Sequence, residues 1–419
     1  MTAHQLGNPI RTGSRNRAGG APCRRYLERV LLGEEQGVLS WLIRGAAWPF
    51  SLVYQVGLAV FLAAYNWGVR RRHRLPVPVV SVGNLTFGGT GKTPAVEAVC
   101  RMLIRLGKRV VVLSRGHGGT ASGPLIVSDG SSIKAGAAEC GDEPVALART
   151  LDGVPIVVGK DRRKSGDLAC RQFKPDVILL DDGFQYWQLR RDLDIVIVDA
   201  LRPFGSGYVM PMGDLREPRG GLRRAGVVLL NGACGLGRRE AYELERQIAQ
   251  LAPGALILRC ARRAGSLIGP DGAALAPEWL SGKGVVAFCG IGRPESFFQM
   301  LESLGANVCE RLGFPDHHRY TLDDLELIES TRRTAGAEAL VTTAKDRARL
   351  DALLHGPAGE LGPPAVPTGR SGRVESSVLR ELYVLGIELE IEDQSRLAEI
   401  IADLFDGTSE ASAPEQEAD

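Results

Sequence analysis

The feature that most constrains the fold is a glycine-rich stretch between a hydrophobic strand and a helix. Residues 88–93, Gly-Gly-Thr-Gly-Lys-Thr, follow the apolar run Val77–Val82 and precede Pro94–Leu106, which has the composition of a helix. A turn of this kind directs backbone N–H groups onto phosphate oxygens, and its lysine places positive charge at the terminal phosphates. Because it connects a strand to a helix, the turn also predicts α/β layering of the surrounding chain.

We expect this loop to hold the phosphates of a nucleotide. Lys92 would contact the β- and γ-phosphates, and Thr93 would offer its hydroxyl group to Mg²⁺. The strict pattern for such loops has glycine where this chain has Thr86. The alternative, a glycine-rich turn with a chance Gly-Lys-Thr, is disfavoured by the flanking strand and helix. The residues predicted to line the nucleotide are Thr86, Phe87, Gly88, Gly89, Thr90, Gly91, Lys92 and Thr93.

After Arg74 the chain alternates short apolar runs with helical segments. Continuous Val/Ile/Leu runs are typical of parallel strands that are buried on both faces. The predicted strands are 77–82, 110–114, 156–158, 177–181, 195–199, 227–230, 256–258, 285–289, 340–343 and 383–389. With 419 residues the chain is too long for one ordinary core. We therefore predict a P-loop NTPase-type domain with a mostly parallel sheet over 75–280 and a second, smaller α/β domain over 281–406.

The N-terminal part of the chain predicts membrane contact. Residues 45–69 contain no charged residue, and the apolar run 48–67 is about as long as a helix that crosses ~30 Å of hydrocarbon. Arginines follow at 70–74, a basic flank suited to anionic lipid. We predict a membrane-associated helix over 45–74, either spanning the bilayer or lying in its interface; a buried helix of a soluble domain is the alternative. Residues 1–44 are predicted to be a polar extension with one amphipathic helix over 26–44.

Composition limits the partners and the compartment. The formal net charge of +2 gives no general attraction to nucleic acid, so no nucleic-acid partner is predicted. The eight cysteines include no CxxC pair, which favours reduced thiols on a cytosolic face. We expect disorder over residues 1–20 and in the acidic tail 407–419, and a surface loop over the Gly/Pro-rich residues 356–372.

Acidic residues follow one of the predicted strands. Asp181 and Asp182 come directly after the apolar residues 177–180, at the end of a strand where α/β sheets bind ligands. An aspartate in that position is suited to Mg²⁺. Two weaker signals are an acidic turn at Asp142 and the histidine pair that begins at His317, because an acid beside an imidazole can move a proton. Since no Asn-Lys-x-Asp element occurs, ATP is preferred over GTP.

Together these motifs resemble the tetraacyldisaccharide 4'-kinase family of lipid A biosynthesis. The resemblance runs in order from about Trp48 to about Phe405 and makes Thr86 a family trait. It is carried by residues 83–94, 113–116, 141–144, 180–185, 191–194, 215–218, 314–317 and 343–346. It implies a two-domain kinase at the cytoplasmic face of a bacterial inner membrane. Such an enzyme transfers the γ-phosphate of ATP, with Mg²⁺, to the 4'-hydroxyl of an acylated glucosamine disaccharide 1-phosphate.

The resemblance also assigns roles to individual residues. It implies that Asp142 lies at the reacting hydroxyl and that Asp182 and His317 form a coupled pair near the phosphates. Asp181 is the magnesium-side carboxylate by the same comparison. The remaining residues that it places at the nucleotide are Arg216, Glu217 and Asn231, the last of them near the adenine.

Two positions depart from the family pattern. His117 stands where the family usually has tyrosine, and Tyr186 stands where it usually has histidine. We hypothesise that the two side chains face each other or the same headgroup. The rival functions are an ATP-dependent ligase or synthetase on the same scaffold and a nucleotide-switched membrane-positioning protein. The switch would need a second lysine near the start of the loop, and residues 83–86 contain none. Oligomeric state and acyl-chain preference stay open.

Overall fold

The computed structural model describes residues 11–12, 22–35, 37–355, 378 and 380–406. The loop predicted over 356–372 and the tail 407–419 lie outside the described residues. Of residues 1–20, the structure describes Arg11 and Thr12, which form a short strand.

The chain folds into alternating strands and helices. The fourteen strands β1–β14 are Arg11–Thr12, Val79–Asn84, Val110–Ser114, Leu125–Asp129, Pro155–Val158, Val177–Asp181, Leu193–Asp199, Val227–Asn231, Leu256–Ile268, Ala274–Leu275, Gly284–Cys289, Asn307–Gly313, Ala339–Thr343 and Leu382–Ile391. The eleven helices α1–α11 of the described residues are Pro22–Leu32, Val38–Asn66, Lys92–Arg105, Ala137–Cys140, Asp142–Thr150, Arg162–Phe173, Arg238–Leu251, Pro294–Ser303, Leu322–Ala335, Ala344–His355 and Gln394–Asp406.

All strands join one sheet with order β1-β12-β11-β13-β14-β9-β8-β7-β2-β6-β3-β5-β4, and β10 pairs with β9. Most neighbours are parallel, which confirms the predicted α/β fold class. Strand β9 connects two parallel halves because it pairs parallel with β8 and antiparallel with β14. The division into domains at residue 280 stays a prediction, since the sheet is continuous through β9 and β14.

The central strands are buried along their whole length. Every residue of β2, β3, β6, β7 and β8 is buried. The apolar side chains of one sheet face pack against α3 and α11, as a parallel sheet covered by helices requires. Because β2 and β6 are adjacent and parallel, residues 85–93 and 182 leave the same edge of the sheet.

The N-terminal helices differ from the sequence prediction. The single helix expected over 26–44 is instead α1 and the first turns of α2, and α2 begins at Val38 rather than at Gly45. Gly33 follows α1 and Gly37 precedes α2, and both have positive φ angles. A glycine with φ above zero ends a helix at little cost, which explains the interruption.

Helix α2 turns its apolar side chains outward. It is long and apolar enough to cross a membrane, and only 6% of its most apolar 18-residue window is buried. Trp41 and Val53 are more than 70% exposed, whereas Ser40 and Ser51 are buried. This pattern excludes the alternative of a buried helix in a soluble core. Beyond the helix, Arg70 and Arg72 lie over the rings of Phe61 and Tyr65.

Candidate active site

The glycine-rich loop leaves the carboxyl end of β2 and ends at α3. The side chain of Asn84, the last residue of β2, fixes its shape from inside. Asn84 Nδ2 donates to the backbone oxygen of Thr86 at 2.7 Å and to Thr90 Oγ1 at 2.9 Å, and Asn84 Oδ1 accepts from Lys92 Nζ at 3.2 Å. A single buried amide thus orders both ends of the loop and directs its lysine.

Gly91 shows why the loop needs glycine before the lysine. Its φ of 98° lies in the left-handed region, and a Cβ atom added there would approach Asn231 Nδ2 to 2.8 Å. Asn231, at the end of β8, donates from that atom to the backbone oxygen of Thr90 at 2.8 Å. Asn231 therefore supports the loop backbone, and its predicted position near the adenine stays a prediction. The loop surface itself is formed by Phe87, Gly88 and Gly89, which are exposed.

The loop lies beside the acidic pair, as predicted. Lys92 Nζ is 3.9 Å from Asp182 Oδ1, and Arg216 Nη1 donates to both carboxylate oxygens of Asp182 at 2.8 Å. Burial opposes ionisation of Asp182, but the charges of Lys92 and Arg216 outweigh it and lower the pKa of that carboxyl. Burial lowers the pKa of Lys92, against the attraction of Asp182. Asp182 has a φ of 53°, a strained conformation that is common at functional sites.

Asp181 has a different environment from its neighbour. Its carboxylate is 5% exposed and accepts one hydrogen bond, from Ser114 Oγ at 2.8 Å. Burial, together with the charges of Glu143 and Asp182, raises its pKa to about 6. A buried carboxylate with one weak partner at a strand end suits a cation. Mg²⁺ is usually held by one or two carboxylates and the phosphates of its substrate, and Thr93 lies partly buried in the first turn of α3.

No group of three or more His, Cys, Asp and Glu side chains suited to a metal ion occurs in the part of the chain that the structure describes. A magnesium ion here would therefore take its remaining ligands from phosphates and water.

Residues 208–217 form the wall next to the loop. Phe87 N donates to the backbone oxygen of Asp214 at 2.8 Å, and Arg216 N donates to that of Leu85 at 2.8 Å. The guanidinium of Arg216 lies 5.0 Å from the ring centroid of Phe87. Arg216 thus lies beside the loop and Asp182, and its contact with the nucleotide stays a prediction.

Glu217 lies behind the site rather than on its surface. It is 2% exposed, and its oxygens accept from Arg224 at 2.8 and 2.9 Å and from Gln185 Nε2 at 2.9 Å. The prediction that Glu217 binds the nucleotide is therefore replaced by a supporting role. The Arg224 guanidinium and the Gln185 amide offset the cost of burying the Glu217 charge, and contact with negatively charged phosphates would add to that cost.

His317 pairs with Asp142 rather than with Asp182, which corrects the sequence prediction. His317 Nδ1 is 3.1 Å from Asp142 Oδ2, while Asp182 is occupied by Arg216. The hydrogen bond to Asp142 raises the pKa of His317. Burial opposes ionisation of Asp142, but His317 and Arg349 together hold its pKa well below the usual range. His317 has a φ of 56°, so the loop after β12 is strained where it presents the ring.

The exchanged residues His117 and Tyr186 lie apart from each other. The ring of His117 lies 6.2 Å from that of His317, whereas the Tyr186 hydroxyl group contacts Asp161 at 3.0 Å and Arg162 N at 3.0 Å. Among the described residues the two rings make no contact, so they do not face each other. His117 therefore lies next to His317, which pairs with Asp142. That His117 and Tyr186 contact the same headgroup stays a prediction.

Sequence reasoning missed three residues that the fold brings to the site. Asn84 shapes the loop, and Arg349 contacts Asp142 and His317. Arg162 is 4% exposed, lies 5.1 Å from the Tyr186 ring and has an Nε atom without a partner among the described residues. Asp181 and Asp182 both attract its charge. Its position directly after the helix cap Asp161, at the end of β5, was an available signal, because β5 ends at the same edge of the sheet.

Comparison with known proteins agrees with this geometry. A family model described as tetraacyldisaccharide-1-P 4'-kinase matches residues 43–405. The tetraacyldisaccharide 4'-kinase of Syntrophus aciditrophicus is 45% identical over 311 residues, 72% of this chain and 83% of that protein. The enzyme of Anaeromyxobacter dehalogenans strain 2CP-1 is 40% identical over 87% of this chain and 94% of its own length.

A solved structure has the same fold. LpxK from Aquifex aeolicus, in a complex with ATP, superposes with a TM-score of 0.66 and 30% sequence identity, over 87% of this chain and 99% of that one. Residues 43–405, which the family model matches, include the loop at 86–93, the acidic pair at 181–182 and the pair Asp142–His317. This chain belongs to the tetraacyldisaccharide-1-P 4'-kinase family.

Proposed function

We propose that this kinase binds ATP on the loop of residues 86–93 and transfers its γ-phosphoryl group to the 4'-hydroxyl of a tetraacylated disaccharide 1-phosphate, with Asp142 accepting the hydroxyl proton. The observation that carries the proposal is the ion pair of Lys92 and Asp182 beside the loop. This ion pair places the positive charge that the phosphates need beside Asp182, the residue after β6. The A. aeolicus relative binds ATP on the same fold, which supports ATP as the nucleotide here.

The reaction needs charge stabilisation and positioning more than covalent help. The hydroxyl oxygen forms a bond to the γ-phosphorus while the bond from that phosphorus to the β-bridging oxygen breaks, and ADP leaves. The hydroxyl proton passes to Asp142. Lys92 and the loop amides stabilise the charge that spreads over the phosphoryl oxygens.

Asp181 and Thr93 would hold Mg²⁺, which when bound neutralises negative charge on the phosphates. This assignment is supported by the single hydroxyl partner of Asp181 and by its position at the end of β6.

Asp142 is suited to accept the proton because its orientation is fixed. Asp142 Oδ1 accepts from the backbone N–H of Glu143 at 3.1 Å, and Oδ2 contacts His317. The neighbouring Glu143 interacts electrostatically with both Lys92 and Asp181, so the start of α5 faces the nucleotide side of the cleft. A positioned general base contributes about 10²–10⁴-fold to such a reaction.

The lipid acceptor would reach the site from the membrane along α2. A groove of about 540 Å³ lies between α2 and residues 217–224; it is lined on one side by Leu58 and Leu62 and on the other by Arg223 and Arg224. Apolar chains and a phosphate group suit these two walls. The apolar exposed face of α2 and the arginines at 70–74 support a position at the cytoplasmic face of the inner membrane.

The direct test is incubation with γ-labelled ATP and a tetraacylated disaccharide 1-phosphate, followed by chromatography of the lipid. We expect label on the lipid with the wild type and a fall of about 10²–10⁴-fold with Asp142→Asn. Labelled free phosphate without labelled lipid would contradict transfer to the sugar. Wild-type turnover in Asp142→Asn would remove Asp142 from the mechanism.

A further inference from the structure

The carboxylate of Asp142 is contacted by a residue from the other half of the sheet. Arg349 on α10 donates to Asp142 Oδ2 from Nε at 2.7 Å and also from Nη2. The same guanidinium lies 3.3 Å from His317 Nδ1. Only 7% of the Arg349 side chain is exposed, so this charge is buried beside the carboxylate and imidazole that it touches.

Arg349 is itself held rigidly from behind. Its Nη1 donates to Asp346 Oδ1 at 2.8 Å and to the backbone oxygen of Gly290 at 2.6 Å. Asp346 is fully buried and accepts from Gly290 N at 3.0 Å and from Thr343 Oγ1 at 2.7 Å. One edge of the guanidinium is thus fixed to the ends of β11 and β13, and the opposite edge is presented to Asp142. A planar guanidinium can hold two carboxylates in this way, and a lysine ammonium cannot.

The contact is part of a row of ion pairs between α5 and α10. Lys345 pairs with Glu143, Arg349 with Asp142, and Arg149 with Asp351. The row connects the half of the sheet that carries the glycine-rich loop to the half built from β11–β14. Glu143 is the member of this row that interacts with Lys92 and Asp181, and Asp142 precedes it on α5. Docking of the two halves therefore also sets the orientation of Asp142.

We propose that Arg349 is a positioning residue for the phosphoryl transfer: anchored on Asp346, it orients the Asp142 carboxylate toward the acceptor hydroxyl only when the two halves of the sheet are docked. This inference rests on the proposed role of Asp142. Arg349 acts through the carboxylate that it holds.

Several charged groups face the Asp142–His317 pair and influence the pKa of the pair. These groups are Glu143 and Lys345 beside Asp142, Asp316 and His117 beside His317, and Asp346 and Tyr320 behind Arg349. Removing the Arg349 charge leaves more negative than positive charge around Asp142. The apparent pKa of the Asp142–His317 pair should therefore rise, and activity should be lost at a higher pH on the acid side.

The experiment compares Arg349→Gln, Arg349→Lys and Arg149→Gln in the full-length enzyme, with γ-labelled ATP and the lipid acceptor. We expect Arg349→Gln to lower kcat about 10²-fold with KM for ATP unchanged, because a displacement of about 1 Å of a reacting group costs about that much. The acid limb of its kcat–pH profile should move to higher pH. Arg349→Lys keeps the charge and should lose only about 10-fold, with a smaller shift of the limb.

Arg149→Gln is the matched control, since it breaks the ion pair of the row that is farthest from Asp142 while Arg347 still pairs with Asp351. It should keep the wild-type kcat and pH profile. Equal losses in Arg149→Gln and Arg349→Gln would mean that the row only holds the halves together, which would overturn the inference. Wild-type kcat and an unmoved acid limb in Arg349→Gln would overturn it as well.

If thermal unfolding shows that Arg349→Gln does not fold, Arg349→Lys decides: a wild-type kcat and pH profile in that variant overturns the inference. Asp142→Asn, measured in parallel, distinguishes failure of the positioning role of Arg349 from failure of the proposed function of Asp142. Loss of transfer in Asp142→Asn with wild-type behaviour of both Arg349 variants refutes the positioning role alone. Full transfer in Asp142→Asn refutes the proposed function of Asp142.

Discussion

The two sides of the candidate active site are built in different ways. The nucleotide side, residues 84–93 with Asp181 and Asp182, comes from two adjacent parallel strands and the loops that follow them. The acceptor side consists of Asp142, His317 and Arg349, which lie on α5, on the loop after β12 and on α10. The first combines the ends of two adjacent strands, and hydrogen bonds within residues 84–92 shape its loop. The second exists only when distant parts of the chain are docked.

This difference predicts different responses to mutation. The loop is shaped mainly by hydrogen bonds of Asn84 within the same segment, with further support from Asn231 and Asp214. The acceptor side depends on ion pairs that cross between the two halves of the sheet. Changes to the nucleotide side should therefore affect both ATP binding and turnover, while changes to the acceptor side should affect turnover alone.

The largest effect is expected at Lys92. Lys92→Ala removes the positive charge that we propose at the phosphates and leaves Asp182 with the charges of Arg216 and Arg162. We expect turnover to fall by about 10²–10⁴-fold and nucleotide binding to weaken, measured by transfer of label to lipid and by ATP titration. Lys164→Ala, an exposed lysine on α6, serves as the control for removing a positive charge. Unchanged ATP affinity in Lys92→Ala would break the distinction between the two sides.

His317→Ala should give a smaller and purely catalytic loss. Asp142 keeps Arg349 and the backbone N–H of Glu143, so we expect kcat to fall by about 10²–10³-fold with KM for ATP unchanged. The matched control is His318→Asn. His318 Nε2 lies 2.9 Å from Asp324 Oδ2, so this histidine pairs with a carboxylate other than that of Asp142. A change in KM for ATP with unchanged kcat would place His317 on the nucleotide side instead.

The same contrast explains what the sequence could predict. The glycine-rich loop, Asp181–Asp182 and ten of the strands are readable because each depends on residues close together in the chain. Strands β4 and β12 were missed, since they are partly polar and only partly buried. The partner of His317 was assigned wrongly because the contact with Asp142 spans 175 positions. Arg349 and Asn84 were missed for a related reason, because a single buried polar residue gives no periodic pattern in the sequence that would indicate its contacts.

Glu97 links the two sides and should give the protein a pH-dependent stability. It lies on α3, directly after the loop, and accepts from Thr150 Oγ1 on α5 at 2.9 Å. Burial raises its pKa to about 7 from 4.5. Because the folded state favours neutral Glu97, this residue contributes to the free energy of unfolding at pH 5. That contribution is lost as the pH rises through 7. The loss is at most about 3 kcal/mol, since one pKa unit is worth about 1.4 kcal/mol.

Urea unfolding at pH 5 and pH 8 measures this effect. The wild type should lose more stability between the two pH values than Glu97→Gln, which keeps the hydrogen bond without a titrating group. Glu240→Gln, at the exposed start of α7, is a matched control that should leave the pH dependence as in the wild type. An identical pH dependence in wild type and Glu97→Gln would mean that the contact between α3 and α5 does not depend on this proton.

The smallest effect is expected where α2 joins the nucleotide side. The Tyr54 hydroxyl group donates to the backbone oxygen of Arg216 at 2.8 Å, and the side chain of Arg216 holds Asp182. Tyr54→Phe removes one hydrogen bond, worth about 0.5–1.5 kcal/mol, and keeps the apolar surface of the helix. We expect kcat/KM for the lipid to fall by less than about tenfold, with vesicle binding unchanged, whereas Tyr242→Phe on exposed α7 should behave as the wild type.

Equal activity of Tyr54→Phe and wild type would show that α2 only brings the enzyme to the membrane. A reduced lipid kcat/KM with unchanged vesicle binding would instead mean that the membrane helix helps to set the position of Arg216. The nucleotide side would then no longer be a purely local structure, because part of its geometry would depend on how α2 is seated. The helix turns its polar residues inward, with Ser51 Oγ also donating to the backbone oxygen of Val209 at 2.8 Å, and this favours the second outcome.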